Sequence, residues 1–328
     1  MSAKPTAKPT VVVTRRLPEP VERELATDFD ARLNREDRPL DPDGLREALK
    51  TADALLCTVT DRLDAEVLAV EPRRARLLAN FGVGFNHIDV DAAKARGLAV
   101  SNTPDVLTDA TADLAMTLLL AVTRRAGEGE RHLRSGAWTG WRPTHMLGTQ
   151  VSGKTLGLVG MGRIARAVAK RAHHGFGMRI IFHDPFPPPP DVAASLGAEP
   201  RERLEQVLEE ADIVSLHCPA TPETRHLMNG ERLARLKPGA FLINTARGDV
   251  VDEAALVAAL RSGRLAGAGL DVFEREPQVS PELLAMENVV LLPHLGSATR
   301  ETRVAMGMRA LENLRLFFRG APLRDKVV

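Results

Sequence analysis

Short apolar, β-branched runs alternate with longer helix-patterned segments from one end of the sequence to the other. That alternation constrains the chain more than any other feature. A run apolar on both faces needs helices above and below it, which is the plan of a parallel sheet. The fold class is therefore α/β. Strands are expected at residues 11–14, 54–57, 77–80 and 99–101, and a second series at 156–159, 179–182, 213–216, 240–244, 267–272 and 289–292. With 328 residues there is room for two domains, each able to bury its own core. Six strands separated by helices suit a dinucleotide-binding sheet.

Residues 108–125 carry Ala, Leu and Met at helical spacing with basic residues at the end, which predicts a long helix and a candidate bridge between domains. The tail at 301–319 is also helical, with Val304, Met308, Leu311, Leu314 and Phe318 on one stripe. It has no strand partner nearby and is expected to pack back on the first domain. The prolines at 187–190 predict a stiff extended loop, and residues 1–10 a short disordered lead without the apolar region of a secretory signal.

Lys plus Arg number 44 against 43 for Asp plus Glu, so the formal charge of +1 supplies no strong field for a nucleic-acid backbone or an anionic bilayer. The longest apolar stretch, 114–122, is interrupted by Thr117 and falls well short of the roughly 18–20 residues of a membrane span. Cys57 and Cys218 stand far apart without zinc or disulfide spacing, so no metal site is expected and a reducing cytoplasm is the simplest home.

Gly160-Met161-Gly162-Arg163-Ile164-Ala165 follows a strand and opens a helix. Gly160 permits the tight turn, Gly162 lets backbone approach a pyrophosphate, and the helix N-terminus, with Arg163 and Ile164 in its first turn, supplies amide donors. Asp184 ends the next strand, 24 residues after Gly160. A carboxylate there accepts hydrogen bonds from ribose hydroxyls and repels a 2′-phosphate, which favours NAD over NADP. The run 186–190 makes the adenine loop unusual.

Three ionisable residues lie at or just beyond the ends of later strands, the edge where open α/β sheets place their chemistry. They are Arg247 in Asn244-Thr245-Ala246-Arg247-Gly248, Glu276 in Asp271-Val272-Phe273-Glu274-Arg275-Glu276-Pro277, and His294 in Pro293-His294-Leu295-Gly296-Ser297. Taken singly, each is more readily a solvated loop residue.

Together with Asn80-Phe81-Gly82-Val83-Gly84-Phe85-Asn86-His87-Ile88-Asp89 and Asn102-Thr103-Pro104-Asp105-Val106-Leu107-Thr108-Asp109-Ala110-Thr111-Ala112-Asp113, these segments resemble the NAD(P)-dependent D-2-hydroxyacid dehydrogenases, and within them the glyoxylate/hydroxypyruvate reductases. The resemblance implies a Rossmann NAD-binding domain, 104–294, inserted into a flavodoxin-like substrate domain made of 1–103 and 295–328, with the active site in the cleft. It implies a homodimer formed through the cofactor domains, and reduction of a small 2-oxo acid such as glyoxylate or hydroxypyruvate by NADH.

By the same resemblance Arg247 would hold the substrate carboxylate and the reacting carbonyl oxygen, and His294 would protonate that oxygen. Glu276 would pair with His294 and favour the imidazolium. The amides of Val83 and Gly84 would complete the carboxylate site. Thr111, Pro219, Thr245, Ala246, Asp271, His294 and Gly296 would surround the nicotinamide half. Trp141 matches a position that reaches the neighbouring subunit's pocket; packing in a core or interface is an equal reading for it and the plainer one for Trp138. Cys218 has no base beside it in sequence and is not expected to act as a nucleophile. His173 and His174 are expected to be a polar helix end.

Three other readings share this framework. A formate dehydrogenase resembles it but has glutamine in the role given to Glu276, and a phosphite dehydrogenase carries lysine where this chain has Val83. A non-enzymatic dinucleotide sensor of the corepressor type keeps the same catalytic residues.

Overall fold

The computed structural model describes residues 7–328, so the first six residues of the expected lead lie outside the described residues. Thr10, expected in that lead, already begins the first strand. The chain forms two compact units. One comprises the described residues through Leu107 together with Ala298–Val328, and the other is Thr108–Ser297.

The first unit contains β1 (Thr10–Val13), β2 (Asp30–Leu33), β3 (Ala54–Cys57), β4 (Leu77–Asn80) and β5 (Ala99–Ser101), all parallel in the order β2-β1-β3-β4-β5. This is the flavodoxin-like order. β3 and β4 are buried along their whole length, as their apolar runs require. The expected four strands are five. The additional one is β2, whose Asp-Ala-Arg-Leu has no apolar run, and as the edge strand it needs none. The C-terminal helix Arg300–Phe318 packs on the helix Glu19–Asp28 and on β4. Its Leu311 and Leu314 are fully buried, whereas Val304, Met308 and Phe318 of the expected stripe are only partly covered. Beyond it the tail returns to the free edge of β5, where the Val327 amide donates to the Val100 carbonyl at 2.8 Å.

The second unit contains β6 (Thr155–Val159), β7 (Arg179–His183), β8 (Ala198–Pro200), β9 (Ile213–Leu216), β10 (Ala240–Asn244), β11 (Leu265–Leu270) and β12 (Val289–Leu291). They form one parallel sheet in the order β12-β11-β10-β9-β6-β7-β8, a doubly wound dinucleotide-binding arrangement that reverses between β6 and β9. The extra strand is β8, an edge strand of three residues with a proline, outside any strand pattern. The proline run is also shorter as a loop than expected. Pro190 opens the helix Pro190–Ser195, where its missing N–H costs nothing.

The helix Thr108–Thr123 is the first element of this unit and lies along β10, β11 and the helix Arg163–Phe176. Arg171 ties the two helices, donating to Asp113 at 2.6 Å and to Asp109 at 2.9 Å. His173, in the last turn of the glycine-motif helix, has Nδ1 3.1 Å from the carbonyl of Met178 just beyond it. No helix among the described residues is long and apolar enough to cross a membrane.

Arg309 of the C-terminal helix meets Asp325 at 2.6 Å, and Asn313 reaches the same carboxylate at 3.0 Å. Both partners of the ion pair are largely buried. Asp325→Ala leaves Arg309 in that setting without its main counter-charge and lowers the stability of this unit by about 2–3 kcal/mol. Urea denaturation of the variant measures the loss; an unchanged midpoint contradicts it.

Candidate active site

Because every strand of the second sheet is parallel, their carboxyl ends and the segments leaving them share one edge. The first of these is the glycine turn after β6. Gly160 has φ +88°, and a Cβ there would meet the backbone of His217 and Cys218, the segment leaving β9, at 3.0 Å. No side chain fits, so the turn can close only with glycine.

Gly162 caps the helix Arg163–Phe176 without a side-chain hydrogen bond, and a Cβ on it would meet nothing. Several other helices, by contrast, are capped by side chains such as those of Asp41, Asn229 and Asp252. An open glycine at a helix N-terminus beside a sheet switch point suits a phosphate. Arg163 and Ile164 are the first two helical residues.

Asp184 follows β7 directly. Its Oδ2 accepts from the Met161 amide at 2.6 Å and its Oδ1 from the Phe186 amide at 2.7 Å. Each oxygen keeps a lone pair for a hydroxyl donor. Phe186 is 88% exposed in the adjoining loop.

The segment after β9 leaves His217 and Cys218 half-buried and Pro219 exposed. Burial pushes the His217 imidazole down to about 4, so it is neutral, and its Nε2 lies 2.9 Å from Ser215 Oγ. Burial pushes the Cys218 thiol up to about 11, which leaves no thiolate for nucleophilic attack.

After β10, the buried Asn244 side chain folds the turn that carries Arg247. It donates to the Arg247 carbonyl at 2.8 Å and accepts from the Ala246 amide at 3.0 Å. Arg247 is half-buried and its Nη1 donates to the Ala246 carbonyl at 2.7 Å. Burial draws the guanidinium below its usual value while Glu276 and Asp249 pull it back up. It stays a cation, because an arginine is not deprotonated in a protein. Thr245 Oγ1 is buried with no hydrogen-bond partner, a polar atom left for a group the protein does not itself provide.

Gly248 decides how the next segment sits. A Cβ there would lie 1.9 Å from the Phe273 carbonyl carbon and 2.4 Å from the Glu274 nitrogen. The turn bearing Arg247 thus lies directly on the backbone of the segment bearing Glu276.

After β11 comes Asp271, fully buried. Its Oδ1 and Oδ2 accept from the amides of Leu295 and Gly296 at 2.6 and 2.8 Å, and its carbonyl accepts from the His294 amide at 2.9 Å. Burial raises this carboxyl above its usual range against the two amides. Thr111 comes from the helix Thr108–Thr123 to the same spot, where a Cβ on Gly296 would stand 3.4 Å from its methyl and 3.3 Å from Asp271 Oδ2.

His294 has φ +55°, held there by Asp271. Its Nδ1 lies 2.8 Å from Glu276 Oε2, and the Phe273 amide donates to Glu276 Oε1 at 3.1 Å. The carboxylate only accepts, so Nδ1 carries the hydrogen and Nε2 is left to take or release a proton. Burial works to raise the Glu276 carboxyl, but the bond and charge of His294, the Phe273 amide and Arg247 outweigh it and hold it below the usual range.

In the first unit, Val83 and Gly84 lie in the segment after β4. Asn80 donates to the carbonyls of Gly82 and Gly84 at 3.1 and 3.0 Å, and Asn102 to that of Val83 at 2.9 Å. Trp138 and Trp141 are 52% and 82% exposed, so neither packs in a core of this chain.

The structure thus brings Arg247, Glu276, His294, Asp271, Thr111, Thr245 and Gly296 to one edge with the glycine turn and Asp184. The reading of single motifs missed Asn244 and Gly248 as builders of this edge, and Asn80 as the residue that folds the Gly82–Gly84 segment of the first unit. Asn244 and Gly248 flank the Arg247 motif and Asn80 ends a strand, and a strand-terminal asparagine before a glycine-bearing turn was the available signal.

A glycine turn on a helix N-terminus, with a carboxylate at the end of the next strand, defines a dinucleotide-binding protein, and a paired histidine on the same edge adds acid–base capacity. Residues 116–296 match the family model of the D-isomer specific 2-hydroxyacid dehydrogenase NAD-binding domain. The chain is 48% identical over 316 residues to a glyoxylate reductase of Korarchaeum cryptofilum, covering 95% of this chain and 94% of that protein. The TT0316 protein of Thermus thermophilus superposes with a TM-score of 0.90 at 46% identity, over 97% of this chain and 100% of that one. The NADPH-dependent glyoxylate/hydroxypyruvate reductase of Sinorhizobium meliloti, in complex with NADP and malonate, superposes at 0.87 with 36% identity, over 98% of this chain and 97% of that one. The chain belongs to the D-isomer specific 2-hydroxyacid dehydrogenases, nicotinamide-dependent oxidoreductases.

Adding one carbon at Gly248 forces the Arg247 and Glu276 segments apart. Gly248→Ala is expected to lower kcat/KM by about 100-fold, since displacements near 1 Å cost about that much. Steady-state rates beside circular dichroism of the variant check it; near-normal rates would show that the contact is dispensable.

Proposed function

We propose that the protein reduces a small 2-oxo acid, glyoxylate or hydroxypyruvate, to the D-2-hydroxy acid with NADH. The observation that carries this reading is the 2.8 Å bond between His294 Nδ1 and Glu276, beside the Arg247 turn at the carboxyl edge of a dinucleotide sheet. The names of the relatives support it: they are glyoxylate reductases at 45–48% identity.

The residues present fit a nicotinamide dinucleotide. The uncapped Gly162 amide end suits its phosphates, and the unpartnered Thr245 hydroxyl awaits a polar group near Arg247. Gly160, Gly162, Arg163 and Ile164 would hold the phosphates and Asp184 the adenosine ribose. Thr111, Pro219, Thr245, Ala246, Asp271, His294 and Gly296 would lie around the nicotinamide. When bound, the reduced nicotinamide supplies the hydride.

Arg247 binds the substrate carboxylate and polarises the carbonyl as a planar, permanently charged donor, and the amides of Val83 and Gly84 are proposed as further carboxylate donors. His294 Nε2 delivers the proton to the carbonyl oxygen as negative charge develops there, and takes it back in the reverse direction. Glu276 stabilises the protonated ring. The carboxylate of Asp184 disfavours a 2′-phosphate, and residues 185–192 contain no Lys or Arg to receive one, which supports NADH over NADPH.

The protein is further proposed to act as a cytoplasmic homodimer through its cofactor domains. Two free cysteines fit a reducing compartment. The helix Ala126–Arg134 buries no residue, and Leu133, Trp138, Trp141 and Leu147 are exposed large apolar side chains in and after it. Trp141 is the residue proposed to enter the partner's pocket.

Initial rates of NADH and NADPH oxidation with glyoxylate, hydroxypyruvate, pyruvate and phenylpyruvate, with formate and phosphite in the direction of NAD reduction, test the reading. Turnover of glyoxylate or hydroxypyruvate with NADH preferred is expected. A preference for NADPH overturns the role of Asp184, and tight NADH binding without turnover of any acid points to a sensor. Arg247→Ala is expected to lower kcat/KM by at least about 100-fold. Because the His294 proton stabilises the Glu276 carboxylate, the carboxylate stabilises that proton by the same free energy. Glu276→Gln therefore moves the basic limb of the pH–rate profile to lower pH, and an unmoved limb refutes the assignment.

A further inference from the structure

A second histidine–carboxylate pair lies beside the first. His226 Nε2 stands 2.9 Å from Glu274 Oε1, two residues before Glu276 on the same segment. Three separate stretches meet at this contact. The His226 amide donates to the Asp249 carbonyl at 2.7 Å and the Met228 amide to Val250 at 3.0 Å, and Met228 bridges Val251. That main-chain ladder fixes residues 226–228 against 249–251, the continuation of the Arg247 turn. The His226 side chain then crosses to the segment after β11.

Glu274 is held at both ends. Its side chain meets His226, and its amide donates to Glu253 Oε1 at 2.6 Å. Its backbone lies against Gly248. The neighbouring Phe273 amide donates to Glu276 Oε1, whose partner oxygen faces His294. Among the described residues, two charged groups face the pair: Arg225 Nη2 stands 3.8 Å from Glu274 Oε1, and Glu253, first residue of the helix Glu253–Arg261, reaches the Glu274 amide.

His226 has φ +48°, a left-handed conformation that a side-chain-bearing residue adopts at a cost. The ladder to 249–251 holds it there, and the ring meets the carboxylate across the gap.

We propose that His226 is a positioning residue for the acid–base pair: acting through Glu274, it clamps the segment bearing Glu276 onto the turn bearing Arg247, so that Glu276 stays aligned on His294. The role assigned to Glu276 and His294 rests on the reductase reading; the clamp itself rests on the three segments joined at His226. His226 touches no reacting atom in this scheme, and its effect reaches the chemistry only through the placement of Glu276.

The test compares His226→Ala, His226→Gln and Glu274→Gln with the parent enzyme in two measurements. The first is the kcat, KM and pH profile for the best 2-oxo acid. The second is the titration of the His294 imidazole followed by NMR, which needs no turnover. His226→Ala is expected to lower kcat about tenfold with NADH binding by fluorescence unchanged, and to shift the His294 titration and the basic limb to lower pH together. His226→Gln and Glu274→Gln keep a donor and an acceptor in place and recover most of both. A His226→Ala enzyme with parental kcat and His294 titration overturns the proposal, as does a kcat loss that His226→Gln fails to recover. Absence of parental turnover with every acid counts against the reductase reading alone, since the NMR titration still decides the clamp.

Discussion

Parallel strand pairing is the constraint on which the site depends. In the second sheet it delivers the ends of β6, β7, β9, β10, β11 and β12 to one edge, so residues scattered from Gly160 to His294 meet without any long excursion of the chain. Closeness at that edge is then limited by the bulk of the backbone itself. Gly160 against His217–Cys218, and Gly248 against Phe273–Glu274, are places at this edge where a single methyl group would press neighbouring segments apart. The buried side chains of Asn244 and Asp271 take up the backbone groups freed where the strands end, and so convert ragged termini into fixed turns.

The electrostatics of the edge follow from small differences in setting. Asp271 and Glu276 stand five residues apart on one segment, yet burial raises the first while the pairing with His294 and Arg247 leaves the second lowered. Two amides and the nearby His294 do not offset the burial of Asp271, whereas the direct hydrogen bond to His294, an amide and Arg247 more than offset that of Glu276. Their environments sort two like groups into a structural hydrogen-bond acceptor and a charge held opposite a proton carrier.

Much of this was legible in the sequence. The central strands announce themselves because burial on both faces demands an unbroken apolar run. The edge strands β2 and β8 do not, since one flank of each meets solvent and Asp-Ala-Arg-Leu or Ala-Glu-Pro suffices. The glycine turn and Asp184 were readable from spacing, because their distance in sequence is fixed by one strand–helix–strand unit. Arg247, Glu276 and His294 were not readable singly, and only the family resemblance joined them. Contacts such as Asn102 with Val83, or His226 with Glu274, were invisible for a different reason: they link residues whose proximity exists only after the sheets have formed.

The unit built from both ends of the chain has a consequence for the order in which the protein assembles. Its helix Arg300–Phe318 supplies part of the wall over β4 and the helix Glu19–Asp28, and its last residues close the edge of β5. On a ribosome these pieces emerge only after the whole of Thr108–Ser297, a unit with two apolar clusters of its own. The first sheet to be synthesised is therefore the last to be finished, and it waits with apolar surface and an unpaired strand edge open while its insert folds. The N-terminal strands, rather than the dinucleotide-binding sheet, are thus the part of the fold that stays open longest during synthesis.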